Sequence, residues 1–100
     1  MSQTLYLSAV SHHRAGQLTQ AESLYQQVLK TNPKHADALH MLGVIYYQTD
    51  RTEQAVNLIS QALAINPKNT DYLNHYALSL RSANQPEAAE GRRPKGRARP

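Results

Sequence analysis

A chain of 100 residues with a net charge of +4 and 40% hydrophobic residues has room for one domain, whose thin core is best sustained by stacking units. It contains no cysteine, which excludes disulfides and thiolate metal sites and favours a cytoplasmic location. No apolar run is long enough to span a bilayer, and the opening sequence MSQTLYLSAVSHHR lacks the basic-then-apolar order of a signal peptide.

The predicted elements are all helices, marked by apolar residues at three- and four-residue steps and separated by breakers. The first runs over residues 2–15 and ends at Gly16; the second runs over 18–31 and stops at Asn32-Pro33. The third covers 36–49, carrying Leu39, Leu42, Gly43 and Tyr46, and Asp50 follows it. The fourth, 52–65, opens on Thr52 and Glu53, which suit a helix N-terminus, and stops at Asn66-Pro67. The fifth covers 70–83. A sixth starts at Pro86, a good first helical residue, and has little more than one turn before Gly91 and Pro94.

These elements repeat. The segments TQAESLYQQVLKTNPK (19–34) and EQAVNLISQALAINPK (53–68) superimpose without a gap at a spacing of 34 residues. Both hold Gln-Ala near the start (Gln20-Ala21, Gln54-Ala55), share Leu24 and Leu58, carry a second Gln-x-Leu, and close on Asn-Pro-Lys. A period of this length marks stacked supersecondary units.

The pattern resembles the tetratricopeptide repeat family. Residues 36–69 match it through Leu39, Leu42-Gly43, Tyr46, Ala55, Ile59, Ala62 and Pro67. Residues 2–35 match more loosely, through Leu5, Ser8-Ala9, His12, Ala21, Tyr25, Val28 and Pro33. A third copy begins at Thr70 with Leu73, Tyr76-Ala77, Leu80 and Ala89, and the match stops after Glu90. The resemblance implies an all-α, right-handed solenoid of antiparallel helix pairs, with units at 2–35, 36–69 and a shortened 70–90. Residues 91–100 follow as a basic tail. Ala21, Ala55 and Ala89 would lie where the two helices of a unit approach most closely, opposite Ala9, Gly43 and Ala77.

Catalytic chemistry finds no support in these residues. There is no nucleophile motif and no phosphate-cradling glycine loop, and the seven carboxylates are scattered as Glu22, Asp37, Asp50, Glu53, Asp71, Glu87 and Glu90. Of five histidines, His12 and His13 diverge by about 100° on a helix, and no two have the i, i+4 spacing of a helical zinc site. His12 takes the slot of a family tyrosine and reads as packing. His13, His40 and His75 read as solvated residues of an inner surface. No cofactor or metal is expected.

The resemblance also implies a concave groove lined by the first helix of each unit. Carried over, its residues are Gln3, Tyr6, Val10 and His13, then Asp37, His40, Val44 and Tyr47, then Asp71, Asn74, Leu78 and Arg81. Such a mixed stripe suits an extended peptide or a short helix of a partner protein. Relatives that capture C-terminal carboxylates of chaperones use cations at set positions, where this chain has Tyr6, Val10, Met41, Asp71 and His75. Asp71 would repel a carboxylate there.

The charge is concentrated at one end. Residues 91–100 hold Arg92, Arg93, Lys95, Arg97 and Arg99 with no acid, leaving six basic residues against all seven acidic ones before them. This tail reads as an arm for an anionic partner, as an inert extension, or as the displaced end of a longer array. It has no interleaved aromatics, so specific nucleic-acid recognition is not expected. The leading functional expectation is a non-catalytic protein–protein interaction scaffold. The alternatives are an accessory module of a glycosyltransferase- or methyltransferase-type enzyme, and a weak anionic-surface binder through the tail. The shortened third unit also predicts an apolar patch of Leu73, Tyr76 and Leu80 that a second copy would cover in a homodimer.

Overall fold

The computed structural model describes residues 2–84. Five helices follow one another: α1 (Ser2–Arg14), α2 (Leu18–Thr31), α3 (Ala36–Gln48), α4 (Thr52–Ile65) and α5 (Thr70–Ala83). No strand occurs among the described residues. The expected sixth helix from Pro86 and the basic tail 91–100 lie outside them.

Two turn types alternate along the chain, each set by its sequence. After α1 the chain closes a Schellman motif: Gln17 N–H donates to the His12 carbonyl at 2.9 Å and Gly16 N–H to the His13 carbonyl at 3.0 Å. Gly16 takes the left-handed conformation this demands, with φ +81°. The same motif recurs after α3, where Arg51 N–H donates to the Tyr46 carbonyl at 2.8 Å and Asp50 N–H to the Tyr47 carbonyl at 3.3 Å. Asp50 there has φ 66°, which an aspartate tolerates better than most side chains. The second turn type follows α2 and α4. Asn32 and Asn66 bond back to Val28 and Ala62, proline forbids continuation, and the next helix is capped by a side chain. His35 Nδ1 accepts from Ala38 N–H, and Asn69 Oδ1 accepts from Tyr72 N–H. Helix α4 starts as expected at Thr52, but its N-cap is Arg51, which makes no capping bond through its side chain.

Each helix packs antiparallel on its sequence neighbour, and α3 also touches α5. The core forms two linked clusters. Ala9, Ala21, Tyr25, Val28, Ala38, Leu42 and Ile45 fill the space between α1, α2 and α3. Leu39, Ala55, Ile59, Ala62 and Tyr72 fill that between α3, α4 and α5. Leu29, Tyr46 and Leu58 border both and make the core continuous. The small residues take the close approaches: Ala9, Ala21 and Ala55 are fully buried, and a Cβ added to Gly43 would stand 2.6 Å from Ile59 Cγ1. Ala77 is exposed. The Tyr25 hydroxyl is buried without a hydrogen-bond partner among the described residues. Burial pushes its pKa far above the ordinary tyrosine value.

On the outer side a polar clasp ties the first two helix pairs together. Arg51 reaches Glu22 with two bonds, Nη1–Oε2 at 3.0 Å and Nη2–Oε1 at 2.8 Å, and lies over the Tyr46 ring at 4.4 Å. The bond to Glu22 raises the arginine's pKa further. Lysine cannot reproduce a two-point contact. Arg51→Lys is therefore expected to cost about 1 kcal/mol, most of it at low ionic strength, since the pair is partly exposed to screening. Urea midpoints of the two proteins at low and high salt measure this; equal midpoints throughout would leave the clasp without energetic weight.

Candidate functional site

The first helix of each pair, α1, α3 and α5, supplies one face of the solenoid, where the sequence-predicted binding residues fall. Gln3, Asp37, Asp71, Asn74 and Arg81 are exposed there, and Tyr6, Val10, His13, Tyr47 and Leu78 are half-buried. Two expectations need correction. His40 is only 6% exposed and Val44 8%, so neither is a solvated groove residue. Helix α5 covers His40, and Val44 is buried in the array.

The face is laced together by polar pairs separated by 35 residues. His13 Nε2 bonds Gln48 Oε1 at 3.0 Å, linking α1 to α3. Between α3 and α5, the Tyr72 hydroxyl donates to Asp37, and His40 Nε2 lies 2.9 Å from His75 Nδ1. His75 Nδ1 also lies 3.0 Å from the Asp71 backbone carbonyl. A carbonyl only accepts, so this nitrogen carries the proton and His40 Nε2 is the acceptor. Burial and the neighbouring His75 imidazole push His40 down to about 4, while Asp37 and Asp71 pull the other way, so it is neutral near pH 7. Tyr72 is pushed up to about 12, first by burial and then by its bond to the Asp37 carboxylate. Tyr6 rises for the same first reason and stacks on His35 with ring centroids 4.8 Å apart.

Tyr72 was not foreseen as a core residue, yet it is buried against α3, its ring 4.6 Å from that of His40. The remaining histidines are also engaged: His12 Nδ1 donates to the Ser8 carbonyl at 2.8 Å. Among the described residues no group of three His, Cys, Asp or Glu is placed to hold a metal ion, and no helix is long and apolar enough to cross a membrane.

Thr70, Leu73 and Ala77 of α5, together with Asp71 and Asn74 of the face just described, line a shallow depression of about 520 Å³. Leu73 is 45% exposed, whereas Tyr76 and Leu80 of the expected patch are half-buried, Tyr76 against the second core cluster.

Stacked antiparallel helix pairs with a repeating turn and a face laced across α1, α3 and α5 define a helical repeat solenoid. The sequence profile of the tetratricopeptide repeat matches residues 12–78, and the chain belongs to that family. The crystal structure of a tetratricopeptide repeat domain protein from Salinibacter ruber is similar in fold, with a TM-score of 0.69 at 21% identity over 84% of this chain and 97% of that one. A search of curated proteins finds no match. As a member of this family, the chain is a repeat module of the kind that generally mediates protein–protein interaction.

Proposed function

We propose that the protein is a non-catalytic scaffold that holds a partner's extended segment or short helix against the face formed by α1, α3 and α5. One observation carries the reading: polar groups free to hydrogen-bond (Gln3, Asn74, Arg81) alternate there with half-buried Tyr6, Val10, Tyr47 and Leu78. That mixture offers both desolvation and directional bonds, while the laced pairs beneath keep it rigid. The cysteine-free sequence suits the reducing cytoplasm. Self-association through the outward side of α5, around Leu73, Tyr76 and Leu80, belongs to the same reading.

The test compares partner capture by the wild-type chain with that by Tyr47→Ala and by Asn74→Ala/Arg81→Ala. Truncating an anchoring side chain is expected to weaken capture about tenfold or more while far-ultraviolet circular dichroism stays unchanged. Tyr6→Ala should act in the same direction, with some loss of stability because Tyr6 packs against Tyr25 and His35. Recovery of the same partners in the same amounts by all the variants would refute the assignment of this face.

A further inference from the structure

We propose that α5 pairs with the α5 of a second copy, antiparallel about a two-fold axis near Ala77, so that the array closes into a dimer through this helix and not through α1. The inference rests on the self-association reading above and gives it a geometry.

The two ends of the array are unlike. Ala38, Leu42 and Ile45 are buried where α3 meets the preceding helix pair. One period earlier α1 carries Thr4, Ser8 and Ser11 at these positions, with Thr4 and Ser11 exposed and Ser8 half-buried. The outer side of α1 is thus hydroxylated where an inner helix is aliphatic, with Leu7, 57% exposed, as an apolar exception. Stacking one copy's α1 on another's α5 would bury those hydroxyls without partners, and such head-to-tail contacts would also propagate into open fibres.

Helix α5 presents the opposite chemistry. Its Leu73 and Ala77 stand one period after Leu39 and Gly43, the positions against which α4 lays Ala55 and Ile59. In α3 that leucine is 4% exposed; in α5 it is 45% exposed. The chain's own continuation does not repeat the cover. One period after Leu58, Ile59 and Leu63, the sequence has Arg92, Arg93 and Arg97, charges where α4 brings aliphatic groups.

A second α5 supplies what is missing. Ala77 is small enough to let two helix backbones approach, and Leu73 of each copy would then lie beside Leu80 of the other. The self-complementary patch forms the same contact twice, as an isologous interface requires. One helix per copy gives a small interface, so the dimer exchanges with monomer at micromolar concentrations.

The test is sedimentation equilibrium of the full chain from micromolar to roughly millimolar concentration. The average mass is expected to rise from 11.2 kDa towards twice that value. Leu73→Arg should return it to the monomer with circular dichroism unchanged, and Leu7→Arg should not. Because the chain has no cysteine, Ala77→Cys under mild oxidation should yield a disulfide-linked dimer, and Leu7→Cys should not. A monomer at every concentration would overturn both the pairing and the self-association reading. A dimer that survives Leu73→Arg, or that cross-links through position 7 but not 77, would overturn the pairing while leaving self-association standing.

Discussion

Replacing Gly43 by valine is expected to lower the stability of the array by about 3 kcal/mol, the size of severe overpacking in a closed core. The cause is local. A Cβ at this position would stand 2.6 Å from Ile59 Cγ1, 3.2 Å from Ile59 Cδ1 and 3.4 Å from the Ala55 carbonyl oxygen. Ile59 is fully buried, and its Cγ1 sits next to the branch point, so it cannot swing aside as a chain end could. Helices α3 and α4 would have to separate, loosening Leu39, Ala55 and Ala62 together.

Gly43→Ala poses a finer test, because two effects oppose each other. Alanine in a helix interior is favoured over glycine by about 1 kcal/mol. The same Cβ clash works against it and is expected to win, leaving a net loss of about 1 kcal/mol. In an Ile59→Ala background the clash disappears and only the propensity gain remains, so there Gly43→Ala should stabilise. The sign reversal is the measurement: four urea denaturation curves, closed as a double-mutant cycle. A destabilisation of equal size in both backgrounds would show that the Gly43–Ile59 contact is not what fixes the helix spacing.

The close approach of α3 and α4 at Gly43 and Ala55 was legible in the sequence, as were the helices themselves; that Ile59 is the atom-level neighbour of Gly43 was not. Gly43 and Ala55 are small at the positions the period aligns, and Gly16 with Asp50, like the two Asn-Pro pairs, punctuates the chain at the same 34-residue interval. What the period hid lies between units. A residue's position on its helix tells which way it points, but not what the next helix lays over it. His40 and Val44 point as groove residues should, yet His40 is covered because α5 meets α3 through pairs 35 residues apart, one more than the period. These pairs are chemically different in each unit, histidine with glutamine, aspartate with tyrosine, histidine with histidine, so alignment of the copies cannot reveal them. Tyr72 escaped for the same reason. Its equivalents are Thr4 and Ala38, and only the neighbouring Asp37 and His40 explain a buried tyrosine there.

The His40–His75 seam gives stability an acid limb well above the pH at which carboxylates titrate. The folded protein holds His40 at about 4, first by burial and then by the adjacent imidazole, against an ordinary value of 6.5. Its folded pKa lies below its unfolded one, so between these values the unfolded chain binds more protons, and stability must fall as the pH falls. The contribution is complete above about pH 6.5 and lost progressively down to about pH 4. From pH 7 to pH 5 the linkage amounts to about 2 kcal/mol. Asp37 and Asp71, which face His40 from α3 and α5, already oppose the shift; removing either negative charge should steepen the limb. His40→Gln keeps a polar group of similar reach and removes the titration. Its urea midpoint should lie below that of the wild-type chain at pH 7, where the neutral imidazole packs on Tyr72, and should change less between pH 7 and pH 5. If the wild-type and His40→Gln midpoints fall in parallel over that range, the acid limb belongs to other groups and the seam is electrostatically silent.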